Sequence, residues 1–263
     1  MTITLAIANQ KGGVGKTTIA TQIAFDLALR RDKKVLYIDM DAQGNGTSVL
    51  KKGEEISGFE AHDLFDTELD IVEPQPSNYS GIDIIPTKSN SLISYSLEGL
   101  PDECIKDPKS QLAKIRDRYD VIIVDCPPNL GIKLKASLTM ADAVLCPIRL
   151  CGFSVEGLDG LLTTIDEIQH KDNPDLILAG VLINAFDNSV TQKAVLEQIQ
   201  ESLKGIVMEN YIRNRTPLDT ANTYGIPVWK VPSAYRAVEE LTKTFDEIYR
   251  KSKIEVNKIP AKA

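Results

Sequence analysis

Metal-binding and disulfide residues are scarce in this 263-residue chain: Cys104, Cys126, Cys146 and Cys151 form no C-x-x-C pair, and only His62 and His170 could join them. That pattern offers neither a structural zinc site nor a disulfide framework, and it predicts reduced thiols in a cytosolic protein. No stretch reaches the roughly eighteen consecutive apolar residues that a bilayer span requires, and the apolar run within residues 1–10 has no basic segment ahead of it. Neither a transmembrane nor a secreted protein is predicted. Positive charge is also short. The formal net charge of −7 excludes a surface coated in positive potential, so any nucleic-acid binding must come from a local patch. Residues 204–263 carry 11 Lys and Arg against 7 Asp and Glu, net +4, which leaves 19 against 30 in residues 1–203. Repeats and low-complexity linkers are missing too.

What is present is a core and an alternation. With 43% hydrophobic residues, the chain is long enough for one sizeable α/β domain, expected over 1–250, followed by a flexible basic tail over 251–263. Short β-branched runs at Ile3–Ala8, Val35–Ile38, Ile82–Ile85, Val121–Val124, Ala143–Ile148 and Leu176–Ile183 read as buried strands. Helical segments lie between several of them: Thr17–Leu29, with Ile19, Ile23 and Leu27 on one face, and Val155–Ile168 after Ser154. The last helix, Tyr235–Lys251, places Val238, Leu241, Phe245, Ile248 and Tyr249 at helical spacing. Such alternation predicts a mostly parallel twisted sheet covered by helices on both faces, with 51–80 and 86–110 as irregular surface excursions.

Gly12-Gly13-Val14-Gly15-Lys16-Thr17 follows the first strand and opens the first helix, the context of a phosphate-binding P-loop. Glycines let successive N–H groups converge on phosphate oxygens, the helix N-terminus adds positive potential, Lys16 neutralises β/γ charge, and the Thr17 hydroxyl can ligate Mg²⁺. A plain glycine turn would need neither the lysine nor the hydroxyl. The strict pattern fails at its first glycine, where Gln10 stands.

The second strand ends in Asp39-Met40-Asp41, and α/β sheets place ligands at strand C-termini. One carboxylate can orient the attacking water while the other holds a magnesium-bound water, although Asp41 could instead simply cap a turn. Val121-Ile122-Ile123-Val124-Asp125 has the Walker B form, and Asp125 is expected to support Mg²⁺ through water. Cys126 reads as a small buried neighbour, since nothing nearby in sequence would activate its thiolate.

With its Asn9–Thr18 loop, the Asp39–Asn45 segment and the Asp125-Cys126-Pro127-Pro128 strand end, the chain resembles the ParA/MinD family of deviant Walker A ATPases over most of its length. The resemblance is nearest to Soj-like partition ATPases and implies ATP and Mg²⁺ as cofactors. It makes Lys11, which alone reads as a solvated lysine, a second loop lysine reaching the other subunit's phosphates in an ATP-sandwich homodimer. A cation delivered there would stabilise developing phosphoryl charge and tie dimerisation to ATP. By the same resemblance Gly12–Thr18 bind nucleotide, Lys11, Lys16 and Asp41 are catalytic, and Thr17, Asp39 and Asp125 support the metal. Asn184 becomes an adenine contact where its strand-end position alone would mark a turn, and Pro217 joins it. Arg213 and Arg215, in a stretch whose wording departs from the family's, become DNA-contact candidates with Lys230 and Arg236.

The implied function is a cytoplasmic, nucleoid-associated ATPase that binds double-stranded DNA without sequence preference and is triggered by a ParB-like or other cargo adaptor. Lys11 so near the start predicts no helix-turn-helix domain ahead of the loop. A MinD-like membrane cycler needs an amphipathic C-terminal helix, which Lys251–Pro260 does not offer, its apolar residues being small and Pro260 breaking the helix. A reductase resembling nitrogenase iron protein needs cluster-bridging cysteines, and Cys126 is misplaced for that role. A small-molecule kinase would need a substrate pocket with no mark in the sequence.

Overall fold

Alternate residues of each central strand point to opposite layers, and this decides where the core lies. In the computed structural model, which describes residues 1–70, 72–150, 156–257 and 259, a seven-stranded sheet runs in the order β3-β4-β2-β5-β1-β6-β7. Its strands are β1 Ile3–Ile7, β2 Val35–Asp39, β3 Gln75–Pro76, β4 Ile82–Ile85, β5 Val121–Asp125, β6 Ala143–Arg149 and β7 Ile177–Asn184. Among the described strands, only β3 pairs antiparallel. The helices are α1 Lys16–Arg31, α2 Asn45–Leu50, α3 Leu92–Ser96, α4 Asp107–Ala113, α5 Ile132–Met140, α6 Glu156–Lys171, α7 Val190–Ser202, α8 Thr216–Tyr224 and α9 Tyr235–Lys251.

Ile3, Leu5 and Ile7 of β1 pack with Val35 and Tyr37 of β2 against α1 and α9. Their neighbours Ala6, Leu36 and Ile38 turn to the opposite layer of α4, α5, α6 and α7. The six long strands follow the predicted runs to within a residue at either end. α1 ends where Asp32 adopts a left-handed conformation and the Lys33 N–H bonds the Leu27 carbonyl.

Two expectations need correction. Residues 51–80 and 86–110 are more than surface excursions, because Ala61, Leu64, Val72 and Ile105 bury into the α4–α6 layer, and α3 forms and α4 begins within the second of them. The chain beyond Lys251 stays packed through Asn257: Ile254 is buried against the α9 layer, its N–H bonds the Tyr249 carbonyl, and Arg31 donates to the Asn257 carbonyl at 3.1 Å. The cause is the buried Arg31 guanidinium, which Asp26 and Asp246 neutralise and the returning backbone completes. Cys151, Ser154, Val155, Lys258, Pro260 and Lys262 lie outside the described residues.

Candidate nucleotide-binding site

The sheet's parallel register puts Asp39 of β2 directly beside Asp125 of β5, and Asp125 beside Ile7 of β1. The Asn9–Thr17 loop therefore leaves β1 within reach of both carboxylates. Asn9, unremarked in the sequence beyond its place in the family pattern, fixes the loop's entry by donating to the Pro147 carbonyl at 2.7 Å and accepting the Lys11 N–H at 2.8 Å. At its exit Gly15 has φ 94°, and a Cβ there would collide with the side chain of Asn184. Asn184 in turn donates to the Val14 carbonyl at 2.7 Å. The loop is thus braced from both flanks, in the place where a P-loop turns its N–H groups to an anion.

The two loop lysines differ in setting. Lys16 is 7% exposed, with its ammonium 3.4 Å from the Lys11 carbonyl. Burial pushes its pKa down, and the nearby charge of Asp125 opposes that shift. Lys11 stands on the exposed rim beside Gly12 and Gly13.

Asp39 and Asp125 are both fully buried, and burial pushes each carboxyl above its ordinary range. Asp39 is already engaged. Its Oδ2 accepts the Thr47 N–H at 2.7 Å and hydroxyl at 2.8 Å, and its Oδ1 accepts the Asp41 N–H at 3.3 Å. Thr87 clamps the same strand end by donating to the Asp39 carbonyl at 2.6 Å. Asp125 accepts the Tyr37 hydroxyl on Oδ2 at 2.9 Å, whereas its Oδ1 is buried without a hydrogen-bond partner. Thr17 lies close enough to that carboxylate to oppose its upward shift. An orphaned carboxylate oxygen beside a hydroxyl suits Mg²⁺, which keeps most of its waters and takes one or two protein oxygens plus phosphate. Among the described residues, no cluster of three or more His, Cys, Asp or Glu could hold a metal by itself. The donor set fits the ion: Thr17 and Asp125 would hold it, and Asp39 is already engaged by Thr47 of α2.

Asp41 opens the turn to α2, half-buried, and its Oδ1 accepts the Gln43 N–H at 3.0 Å. Gly44 follows at φ 64°, tight against the backbone of Thr87 and Ser89, where a Cβ would collide. Burial pushes the Cys126 thiol up to about 12, which leaves it inert at neutral pH.

On the other flank, a cleft of about 160 Å³ is lined by Gly15, Thr18, Arg149, Asn184, Arg213 and Arg215, among others. Chain pairing explains why sequence-distant groups meet there: residues 206–213 run along β7, bridging Val181 to Val207 and Phe186 to Arg213. Pro217 sits half-buried in the first turn of α8 and does not line the cleft, although the next residue, Leu218, does. Glu240 grips both arginines, accepting the Arg213 N–H at 2.6 Å and the Arg215 Nη2 at 3.0 Å. Lys230 and Arg236 stand apart from the cleft and are exposed, Lys230 in the turn between α8 and α9 and Arg236 in the first turn of α9. Sequence reading missed Thr47, Thr87, Asn222 and Glu240, ordinary polar residues whose roles come from distant partners.

The sequence model of a family described as an AAA domain matches residues 2–178. Sporulation initiation inhibitor protein Soj of Bacillus subtilis is 33% identical over 229 residues, covering 85% of this chain and 89% of the relative. Chromosome partitioning protein ParA of Myxococcus xanthus is 33% identical over 236 residues, covering 85% and 80%. Among solved structures, a complex of Cyanothece McdA with ATP superposes with a TM-score of 0.83 at 22% identity, covering 97% of each chain.

Proposed function

Because the chain belongs to the ParA/MinD family of deviant Walker A ATPases, we propose that it is a partition ATPase whose ATP-bound form is a sandwich homodimer on double-stranded DNA. The observation that carries this reading is the division of labour between the loop lysines: Lys16 is buried beside Asp125, and Lys11 is displayed on the rim where a second copy can be reached. Relatives named for chromosome partitioning and sporulation control support the DNA-linked role.

In this reading the loop N–H groups and Lys16 hold the β- and γ-phosphates, and Thr18 and the Asn184 flank receive the rest of the nucleotide. Thr17 and Asp125, backed by Asp39, would hold Mg²⁺, which supplies charge neutralisation at the phosphates when bound. Asp41 orients a water for in-line attack on the γ-phosphorus. The new P–O bond forms as the bond to the β-phosphate oxygen breaks, giving ADP and phosphate, with Asp41 positioned to take the water's proton. Lys11 of the opposing copy meets the charge that develops on the transferred group. Arg213, Arg215, Lys230 and Arg236 supply the local positive patch, and an adaptor protein triggers turnover and release. The setting is cytoplasmic and nucleoid-associated. Among the described residues, no helix is long and apolar enough to cross a membrane.

ATPase rates measured with DNA, with anionic vesicles and with neither test this function. DNA stimulation with ATP-dependent DNA binding is expected. Stimulation by vesicles alone, or equal DNA binding in ADP and ATP, would overturn the reading in favour of a membrane-cycling regulator or a protein with no nucleotide switch.

A further inference from the structure

Helix α1 carries a polar stripe on one side of its buried length. Thr18, Gln22, Asp26 and Arg30 recur at four-residue spacing, which aligns them along one face. Gln22 and Asp26 are 2% and 0% exposed, settings in which an amide or a carboxylate is costly unless bonded. Each of the four bonds a different point in the C-terminal part of the chain. Thr18 Oγ1 accepts from Asn222 Nδ2 at 2.8 Å. Gln22 donates from Nε2 to the Ile226 carbonyl at 3.0 Å and accepts the Val228 N–H on Oε1 at 2.9 Å. Asp26 accepts the Tyr249 hydroxyl at 3.0 Å. Arg30 donates to Thr242 Oγ1 at 3.2 Å, and its guanidinium lies 5.1 Å from the Trp229 ring centroid.

The stripe starts at the phosphate loop, and its anchor points bracket Lys230 and Arg236. We infer that its first half, Thr18 and Gln22, transmits nucleotide occupancy to the segment Asn222–Lys230, with Gln22 as the positioning residue. Gln22 sits one turn beyond Thr18 and clear of the cleft liners, so it acts through backbone and not on nucleotide. Any displacement of the α1 N-terminus as its N–H groups close on phosphate moves the Gln22 amide, and both of its bonds bear on the backbone flanking Pro227. The proline ring fixes φ there, so the push carries on into the Val228–Lys230 turn. A cleft of about 430 Å³ between α1, α2 and α8, lined by Thr21, Ser48, Asn222 and Gly225 among others, leaves α8 room to respond. The inference rests on the partition reading only for its consequence on DNA.

Amide hydrogen exchange on the full chain tests the transmission without DNA, comparing nucleotide-free protein with protein bound to Mg²⁺ and a non-hydrolysable ATP analogue. In the wild type, exchange across 222–230 is expected to slow roughly threefold or more with the analogue, as strengthened hydrogen bonds there imply. Gln22→Met should erase that difference while leaving affinity for the analogue unchanged. No nucleotide effect on this segment in the wild type, or a full effect in Gln22→Met, overturns the inference. If thermal melting shows that Gln22→Met does not fold, Gln22→Asn, one methylene short of both partners, faces the same two outcomes. A DNA-binding arm separates the two ideas: the ratio of affinities in ATP and ADP should collapse toward one in Gln22→Met. A wild-type ratio of one beside an intact exchange difference sinks the partition reading and leaves the stripe standing.

Discussion

The strand-end half of the site and the basic half hold their charges in opposite ways. Lys16, Asp39 and Asp125 are buried and set by backbone register, so their fields act in a low-dielectric pocket where small displacements matter. Arg213, Lys230 and Arg236 are exposed, and Arg213 shares the Glu240 carboxylate with Arg215. Chemistry on a phosphoryl group needs fixed charge that owes nothing to salt. Reversible attachment to a polyanion needs charge that screening can weaken. The comparison therefore predicts steep, salt-independent losses from changes in the first half and shallow, salt-dependent ones from changes in the second.

The largest loss is expected for Lys16→Ala, which removes the buried cation facing Asp125: turnover in a phosphate-release assay should fall by about 10²-fold or more at any salt concentration. A loss confined to low salt would erase the contrast. Gly15→Ala comes close behind. It forces a side chain onto φ 94° and into Asn184, and left-handed strain alone costs about 1–2 kcal/mol before the collision is relieved. Nucleotide affinity by calorimetry should fall at least tenfold by that estimate, whereas the same change at exposed Gly12, with nothing near its Cβ, should be far milder. Lys11→Ala should leave ATP binding intact and reduce partner-stimulated turnover by about 10²- to 10³-fold, the scale of removing one transition-state donor. Full stimulated turnover in that variant would remove the two-subunit site.

What was legible in the sequence follows the same division. The strands, the loop and the strand-end carboxylates Asp39 and Asp125 could be placed because strand period, glycine spacing and position at a strand end are local signals, whereas Asp41 could also be read as a turn residue. Thr47 and Thr87 could not, since their partner Asp39 lies 8 residues away from one and 48 from the other, across a turn whose path only the fold defines. Asn184 was expected at the base, and the structure shows one of its two amide N–H donors engaged by the Val14 carbonyl, which leaves the second N–H and the amide oxygen for any base contact. The basic residues were legible as composition only. That Glu240 would hold Arg213 and Arg215 depends on α9 returning beside β7, and no local pattern encodes it. The packed segment after Lys251 was misread for a related reason: its charges look solvated in sequence, while Ile254 and the Asn257 carbonyl serve a buried arginine far upstream.

The smallest effects belong to the arginine pair, and they are the ones that sharpen the comparison most. Replacing both Arg213 and Arg215 with alanine should weaken ATP-dependent DNA binding and flatten the plot of log affinity against log salt by about 0.9 for each DNA phosphate that is no longer neutralised. Glu240→Gln tests the same grip from the other side. The amide oxygen still accepts the Arg213 N–H, so the loop keeps its shape, but one negative charge beside the two guanidiniums is gone. Ion pairs near the surface contribute about 0.2–1 kcal/mol, and the half-buried Glu240 sits at that boundary, so DNA affinity should rise only roughly two- to fivefold at low salt, and the gain should shrink as salt increases. Fluorescence anisotropy with a short duplex across a salt series reads both variants together. A salt-independent gain, or a loss of DNA binding with Glu240→Gln, would mean that the carboxylate organises the nucleotide cleft rather than restraining the DNA-facing charge.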